Sequence, residues 1–261
     1  MTYGFIGTGN MGGALARALV REVSPLDVYL NNRTPAKAEA LAAELGARAD
    51  TAAHIAAACD YIFLGVKPNL IAGVLAQLAP TLAQRTDKPV LVSMAAGVTI
   101  AALEQAAPGC PILRIMPNTA CAVGAGLTLY DANALLTKPQ LDAFLADMAA
   151  SGRLEALPEH LIDAGSAVAG CGGAFVSLFL EALADGAVTC GLPRDKARRY
   201  AAQMVLGTAQ LALQSDQHTA AMKDAVCSPG GTTIQGVRTL EKAGFRGAVM
   251  DAVIAAYEKN A

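Results

Sequence analysis

The residues that most constrain the fold are Tyr3-Gly-Phe-Ile-Gly-Thr-Gly-Asn-Met-Gly12, a short apolar run followed at once by glycines at 7, 9 and 12. Glycine at this spacing between a strand and a helix serves a particular geometry. Gly7 permits a tight turn, Gly9 lets an anionic ligand approach the backbone, and Gly12 lets the helix lie close against the strand. A helix starting at Asn10 points unpaired N–H groups and the positive end of its dipole at that ligand. With a second strand over Asp27 to Asn31 the segment reads as a βαβ unit, and Gly7, Thr8, Gly9, Asn10, Met11 and Gly12 read as the floor of a dinucleotide site.

The same alternation continues. Thr34-Pro-Ala opens a helix in the manner of an N-cap followed by Pro, and the helix over Ala36 to Leu45 stops at Gly46. A short strand near Ala47 and a helix over Ala52 to Ala58 precede the apolar strand Tyr61 to Val66. Helices are expected over Leu70 to Leu78 and Ile100 to Gln105, and strands over Pro89 to Ser93, Pro111 to Met116 and Gly126 to Tyr130. A helix over Lys138 to Ala150 completes the series. Strands this uniformly apolar are buried on both faces, so the fold class is α/β, with a Rossmann-type doubly wound parallel sheet. The pattern changes at Ser151 to Glu159. Beyond Leu161 no strand is expected, and Arg194 to Gln214 repeats its apolar residues at helical spacing. Further helices are expected over Ala220 to Val226, Thr232 to Ala243 and Arg246 to Lys259. The division is therefore a dinucleotide-binding domain over 1–152 and an all-helical domain over 158–261.

Composition narrows the function classes. A hydrophobic share of 54% against 16% charged residues supplies two buried cores. The formal net charge of −2, with both signs spread along the chain, offers no basic stripe for nucleic acid. No basic, apolar leader precedes the glycine turn, which points to the cytoplasm. The uncharged stretch Ala164 to Leu180 touches the lower length limit of a membrane span, about 17 residues. Its glycines at 165, 170, 172 and 173 favour instead a buried helix in a subunit interface. The six cysteines at 59, 110, 121, 171, 190 and 227 include no Cys-x-x-Cys, and the histidines at 54, 160 and 218 do not cluster with them, so neither a metal site nor a disulfide framework is expected.

The second strand ends in Asn31-Asn32-Arg33-Thr34. An NAD site places a carboxylate near here for the ribose hydroxyls, whereas an arginine suits a 2′-phosphate. Asn32 and Arg33 therefore favour NADPH, with NADH a weaker second cofactor. The turn Val66-Lys67-Pro68 and the segment Arg114-Ile-Met-Pro-Asn-Thr119 reach the same carboxyl edge of the sheet. Lys67 reads either as a cofactor contact or as a loop cation, and Asn118 either as a nicotinamide neighbour or as a turn cap.

A second dense signal is Cys227-Ser-Pro-Gly-Gly-Thr-Thr233, which runs straight into a helix and offers hydroxyls and backbone N–H groups to a small anion. Together with the glycine turn, Asn32-Arg33, Val66-Lys-Pro68 and Arg114-Ile-Met-Pro-Asn-Thr119, the segment Asp224-Ala-Val-Cys-Ser-Pro-Gly-Gly-Thr-Thr-Ile-Gln-Gly236 resembles pyrroline-5-carboxylate reductase across nearly the whole chain. The resemblance implies reduction of 1-pyrroline-5-carboxylate to L-proline, the last step of proline biosynthesis, by hydride from NADPH. It implies that Ser228, Gly230, Gly231 and Thr232 hold the carboxylate and that Thr233 meets the ring nitrogen, making Thr233 and Ser228 the catalytic candidates. It also implies a homo-oligomer, at least a dimer, built through the helical domain. Gly173 departs from the family, which usually has proline there, and Asp216 reads as a solvated carboxylate.

Two other functions compete. A β-hydroxyacid-type dehydrogenase shares the glycine turn but relies on a lysine in the first helix of its second domain, and Leu161 to Leu180 contains none. A nucleotide-sensing regulatory protein has no need of the Ser228 to Thr233 loop.

Overall fold

The computed structural model describes residues 1–259. In chain order the elements are β1 (Tyr3–Ile6), α1 (Asn10–Leu19), β2 (Val28–Asn31), α2 (Pro35–Leu45), β3 (Arg48–Ala49), α3 (Ala52–Ala58), β4 (Tyr61–Leu64), α4 (Ile71–Gln84), β5 (Val90–Ser93), α5 (Ile100–Ala106), β6 (Ile112–Met116), β7 (Gly126–Ala132), α6 (Lys138–Asp147), β8 (Gly152–Ala156) and α7 (Glu159–Ala169). Helices α8 (Gly172–Thr189), α9 (Arg194–Gln214), α10 (Thr219–Ala225), α11 (Thr232–Lys242) and α12 (Phe245–Glu258) complete the order. Two compact units result, Met1–Gly170 with residues 257–259, and Cys171–Ala256.

The first unit is built on one sheet of order β3-β2-β1-β4-β5-β6-β7-β8. Alternation along each strand sends side chains to opposite faces. Tyr3, Phe5, Tyr61, Phe63, Val90, Val92, Leu113 and Ile115 join α1, α2 and α6 in one core, where the Phe5 and Phe63 rings stack at 4.2 Å. Ile6, Ile62, Leu64, Leu91 and Ile112 join α3, α4 and α5 in the other. Burying each such side chain stabilises the fold by about 1.5–3 kcal/mol.

The sheet departs from the expected all-parallel form at one pairing, since β7 runs antiparallel to β6. Only residues 117–125 separate the two strands, which is fewer than the dozen or so that a parallel crossover needs. The nineteen residues 133–151 between β7 and β8 include α6, and that pair is parallel. β8 lies where the sequence suggested a domain boundary. Helix α4 also outruns its expected end, continuing through the exposed Pro80 because Leu78 and Leu82 both bury against the sheet.

The division expected at 152–158 falls short of the end of the first unit, which runs on through α7. Ile162 is fully buried against Met116 and Leu129. The Glu159 N–H donates to Asp131 Oδ2 at 2.7 Å. Arg114 on β6, 2% exposed, donates from Nη1 to Glu159 Oε1 at 3.0 Å and from Nη2 to Asp163 Oδ1 at 3.1 Å. At the other end of α7, Asn118 Nδ2 donates to the Ala169 carbonyl at 3.0 Å.

The expected single helix over Ala164 to Leu180 is broken, since α7 ends at Ala169 and α8 begins at Gly172. The stretch Glu159–Thr189 is long and apolar enough to cross a membrane by length and hydropathy, but only 11% of its most apolar window is buried within the chain. In the helical unit Phe179 of α8 packs on Phe245 of α12, while Leu178 of α8 and Leu211 and Leu213 of α9 are exposed. The burial expected for this region therefore does not occur within one chain.

Candidate active site

Two loops that precede helices hold the residues singled out by the sequence, one in each unit. In the first unit the chain leaves β1 through Gly7, whose φ of +104° is open to glycine but not to L side chains. The turn is tied to β2 by the Gly7 N–H, which donates to the Asn31 carbonyl at 2.9 Å. Gly12 then brings α1 against the turn so closely that a Cβ there would lie 2.2 Å from the Gly7 carbonyl oxygen. A third glycine makes the same approach from β4: a Cβ on Gly65 would lie 2.3 Å from that oxygen. In the sequence Gly65 reads only as the end of an apolar strand, because it belongs to no glycine motif that would give it a role.

Gly9 stands at the N-cap of α1 with no side-chain cap, so the first N–H groups of the helix remain free for an anion. Open space surrounds the place where a Cβ of Gly9 would project. A cavity of about 860 Å³ lies over this turn, lined by Gly7, Thr8, Gly9, Asn10, Asn32, Arg33, Val66 and Lys67 among the expected residues. Among the described residues the buried Thr8 Oγ1 has no hydrogen-bond partner. Free helix N–H groups, an orphaned hydroxyl, a cradle that any Cβ at position 9 would fill and the cations Arg33 and Lys67 together fit a dinucleotide diphosphate. Thr34 occupies the N-cap of α2 but forms no side-chain cap, and it lines the cavity instead.

Other expected residues have different places. Gly12 is buried beneath the turn, while Pro68 opens the one-turn helix that follows Lys67. Met11 is half-buried in the first turn of α1. The Asn118 side chain is engaged at both ends, its Oδ1 accepting from the Leu127 N–H at 3.3 Å while its Nδ2 holds Ala169. It therefore braces the joint of β6, β7 and α7. Arg17, Lys37 and Glu44 also line the cavity. Their signal in the sequence was helical spacing from Asn10 and Arg33.

In the second unit, Ser228-Pro-Gly-Gly231 forms a turn closed by the Gly231 N–H donating to the Ser228 carbonyl at 3.0 Å. Proline at its second position and Gly230 at φ +68° are the demands of a type II turn. Gly231 is the N-cap of α11 and gives it no side-chain cap, leaving the N–H groups of the first turn available. Ser228 Oγ sits over that helix start, since a Cβ on Gly231 would come within 2.3 Å of it. Thr232 and Thr233 follow as the first two helical residues and are exposed. The turn therefore gathers Ser228, Gly230, Gly231, Thr232 and Thr233 around one positive helix end. A larger cavity of about 1370 Å³ has walls from α8 and α9, including Glu181, Asp185, Arg194 and Arg198. Its size reflects the uncovered faces of those helices, and the smaller cavity over the glycine turn holds the recognisable chemistry.

Comparison with known proteins gives a consistent picture. Residues 159–261 match the family model described as pyrroline-5-carboxylate reductase dimerisation, and residues 2–97 match one described as NADP oxidoreductase, coenzyme F420-dependent. The chain is 40% identical to pyrroline-5-carboxylate reductase of Escherichia coli (strain K12), covering 98% of this chain and 96% of that one. It is 36% identical to the enzyme of the same name from Pisum sativum, covering 99% and 94%. Among solved structures, the pyrroline carboxylate reductase of Plasmodium falciparum with NADP bound superposes with a TM-score of 0.90 at 31% identity, covering 100% of this chain and 97% of that one. The Streptococcus pyogenes enzyme gives 0.89 at 30% identity, covering 100% and 98%. Identity of 36–40% over nearly the whole length of both chains means that the chain belongs to the pyrroline-5-carboxylate reductase family.

Proposed function

We infer that the chain reduces 1-pyrroline-5-carboxylate to L-proline at the expense of NADPH, with NADH the weaker donor. The observation that carries this reading is the uncapped start of α11, placed behind a type II turn in a chain whose full-length relatives bear that enzyme's name. NADPH supplies a hydride for the imine carbon. The chain's own residues bind and orient: the free N–H groups of α1, with Thr8, Arg33 and Lys67, hold the dinucleotide through its phosphates. Ser228 and the N–H groups at Gly231, Thr232 and Thr233 hold the substrate carboxylate. The Thr233 hydroxyl hydrogen-bonds the ring nitrogen, keeping the imine turned toward the hydride. A protonated imine accepts hydride readily, so positioning suffices and no strong side-chain acid is required. Two of the three histidines are engaged elsewhere, His54 with Asp50 and His218 as the cap of α10.

The family model over 159–261 is described as a dimerisation region, and the exposed Leu178, Leu211 and Leu213 supply apolar surface for a second copy. All six cysteines are free thiols, which suits a reducing cytoplasm. The test is oxidation of NADPH and of NADH by the purified chain with pyrroline-5-carboxylate, proline being measured as product. Tight NADPH binding without turnover would point to a nucleotide sensor. Turnover confined to a 3-hydroxyacid would point to a β-hydroxyacid-type dehydrogenase.

A further inference from the structure

The cavity over the glycine turn has in its wall an ion pair that the reading above leaves unused. Its members come from two helices. Arg17 follows Asn10 and Gly13 along one face of α1, and Glu44 follows Lys37 and Leu41 along one face of α2; all six line the cavity with Arg33. Arg17 donates from Nε to Glu44 Oε1 and from Nη2 to Glu44 Oε2, each at 2.8 Å. This is the paired fork geometry that gives arginine–carboxylate contacts their direction. The remaining nitrogen, Nη1, lies over Gly13, where a Cβ would come within 3.1 Å of it. The mutual hydrogen bonds raise the Arg17 pKa and lower that of Glu44, so both groups are charged at neutral pH.

Glu44 changes the charge of a wall that otherwise carries Arg17, Arg33, Lys37 and Lys67. The end of β2 has no carboxylate to oppose a 2′-phosphate. The fold brings one into the same cavity from eleven residues beyond Arg33. Its effect on a dianionic phosphate is twofold: it adds like charge, and it occupies the guanidinium that would otherwise be free to turn toward the phosphate. A cofactor without that phosphate has no charge at that place, and its diphosphate is held at the glycine turn instead, so it responds less to both effects.

We propose that Glu44 is a specificity-determining residue that tempers the preference for NADPH over NADH by sequestering Arg17, and that Arg17 acts with Arg33 and Lys37 as the cation set reading the 2′-phosphate. The proposal rests on NADPH being the cofactor. Replacing Glu44 by Gln removes the charge and loosens the fork, whereas replacing Arg17 by Gln leaves the Glu44 charge bare. The two substitutions therefore act in opposite directions on one ligand.

The experiment is titration calorimetry of the full chain with 2′,5′-ADP and with 5′-AMP, in the absence of substrate. Glu44→Gln is expected to tighten 2′,5′-ADP by about two- to five-fold, the size of one exposed charge interaction. Arg17→Gln is expected to weaken it by about the same factor. Binding of 5′-AMP is expected to shift by less in both variants, and both effects are expected to shrink in 0.5 M salt, where screening shortens to a few ångströms. Unchanged or weaker 2′,5′-ADP binding by Glu44→Gln overturns the proposal. Equal shifts for the two ligands also overturn it, and identify the pair as a staple between α1 and α2. Wild-type protein that binds 2′,5′-ADP no more tightly than 5′-AMP overturns the NADPH reading itself, independently of either variant.

Discussion

Gly65 lies outside every glycine motif, yet it packs directly against the Gly7 turn and lines the cavity above it. Replacing it by Ala places a Cβ 2.3 Å from the Gly7 carbonyl oxygen, where ordinary contact begins at 3.4 Å, so the two backbone segments must part by about 1 Å. No side chain can rotate away, because the opposing atom is main chain. Separation also strains the bonds that set the turn, from the Gly65 N–H to the Ile6 carbonyl and from the Gly7 N–H to the Asn31 carbonyl, each 2.9 Å. Overpacking of this kind costs about 1–3 kcal/mol, which corresponds to a fall of roughly 2–12 °C in Tm for a chain of this size. A glycine turn displaced by that distance is expected to lower kcat/KM on the order of 100-fold. Gly9→Ala is the companion variant. Its Cβ meets no protein atom within 4 Å, so Tm is expected to hold while NADPH affinity falls. Calorimetric melting and NADPH titration without substrate measure the two quantities separately. Wild-type affinity and Tm in Gly65→Ala, or destabilisation by Gly9→Ala as large as that by Gly65→Ala, would refute the steric argument.

Other substitutions and conditions test separate parts of the structure. Arg114→Met leaves Glu159 and Asp163, 28% and 29% exposed, facing each other without their cation; the cost falls at the low end of the range for broken buried pairs, about 3 kcal/mol, or roughly 6–12 °C in Tm, and a shift below about 2 °C would show that the clamp is dispensable. Thr233→Val is expected to lower kcat with pyrroline-5-carboxylate by about ten-fold or more, the scale of one lost hydrogen bond to a charged group, while NADPH affinity stays at the wild-type value; parallel loss of both would make the loop a scaffold. Burial pushes the Cys59 thiol up to about 12 and the Tyr61 phenol up to about 12, and Tyr3 rises further under burial and its hydrogen bond to Asp147. These groups ionise in the unfolded chain at lower pH than in the folded one, so their contribution to stability is complete below about pH 9 and is lost as pH rises toward 12. Urea melts at pH 8, 10 and 11 check the sign, and stability rising across that interval would contradict it.

How far the sequence reveals this structure differs from one element to another. The strands β1, β4, β5 and β6 were legible because both faces are buried and the apolar runs are continuous. β8 was not, because Gly-Arg-Leu-Glu-Ala is an edge strand with two of its five residues exposed and none fully buried, and its glycine and charges resemble a linker. The reversal at β7 could be foreseen only by counting connection residues, since an apolar strand reads alike in either direction. At the candidate site, Gly7 to Gly12 and Ser228 to Thr233 stand out in the sequence because each is contiguous within one turn. Gly65, Arg17, Lys37 and Glu44 come together only after the sheet and helices assemble. The Asn118 side chain shows the limit of motif reading: its place beside the carboxyl edge was foreseen, but its engagement with Leu127 and Ala169 depends on α7 docking there.

That docking decides where the chain can be cut. A fragment ending between 152 and 158 would leave the Arg114 guanidinium in an apolar strand with both its carboxylates removed, and the Asp131 and Asn118 side chains without the helix they grip. Such a fragment would be expected to collect in inclusion bodies when expressed alone. For isolating the nucleotide-binding half, the useful stop codon lies beyond Gly170, where α7 has already supplied its acids to the sheet.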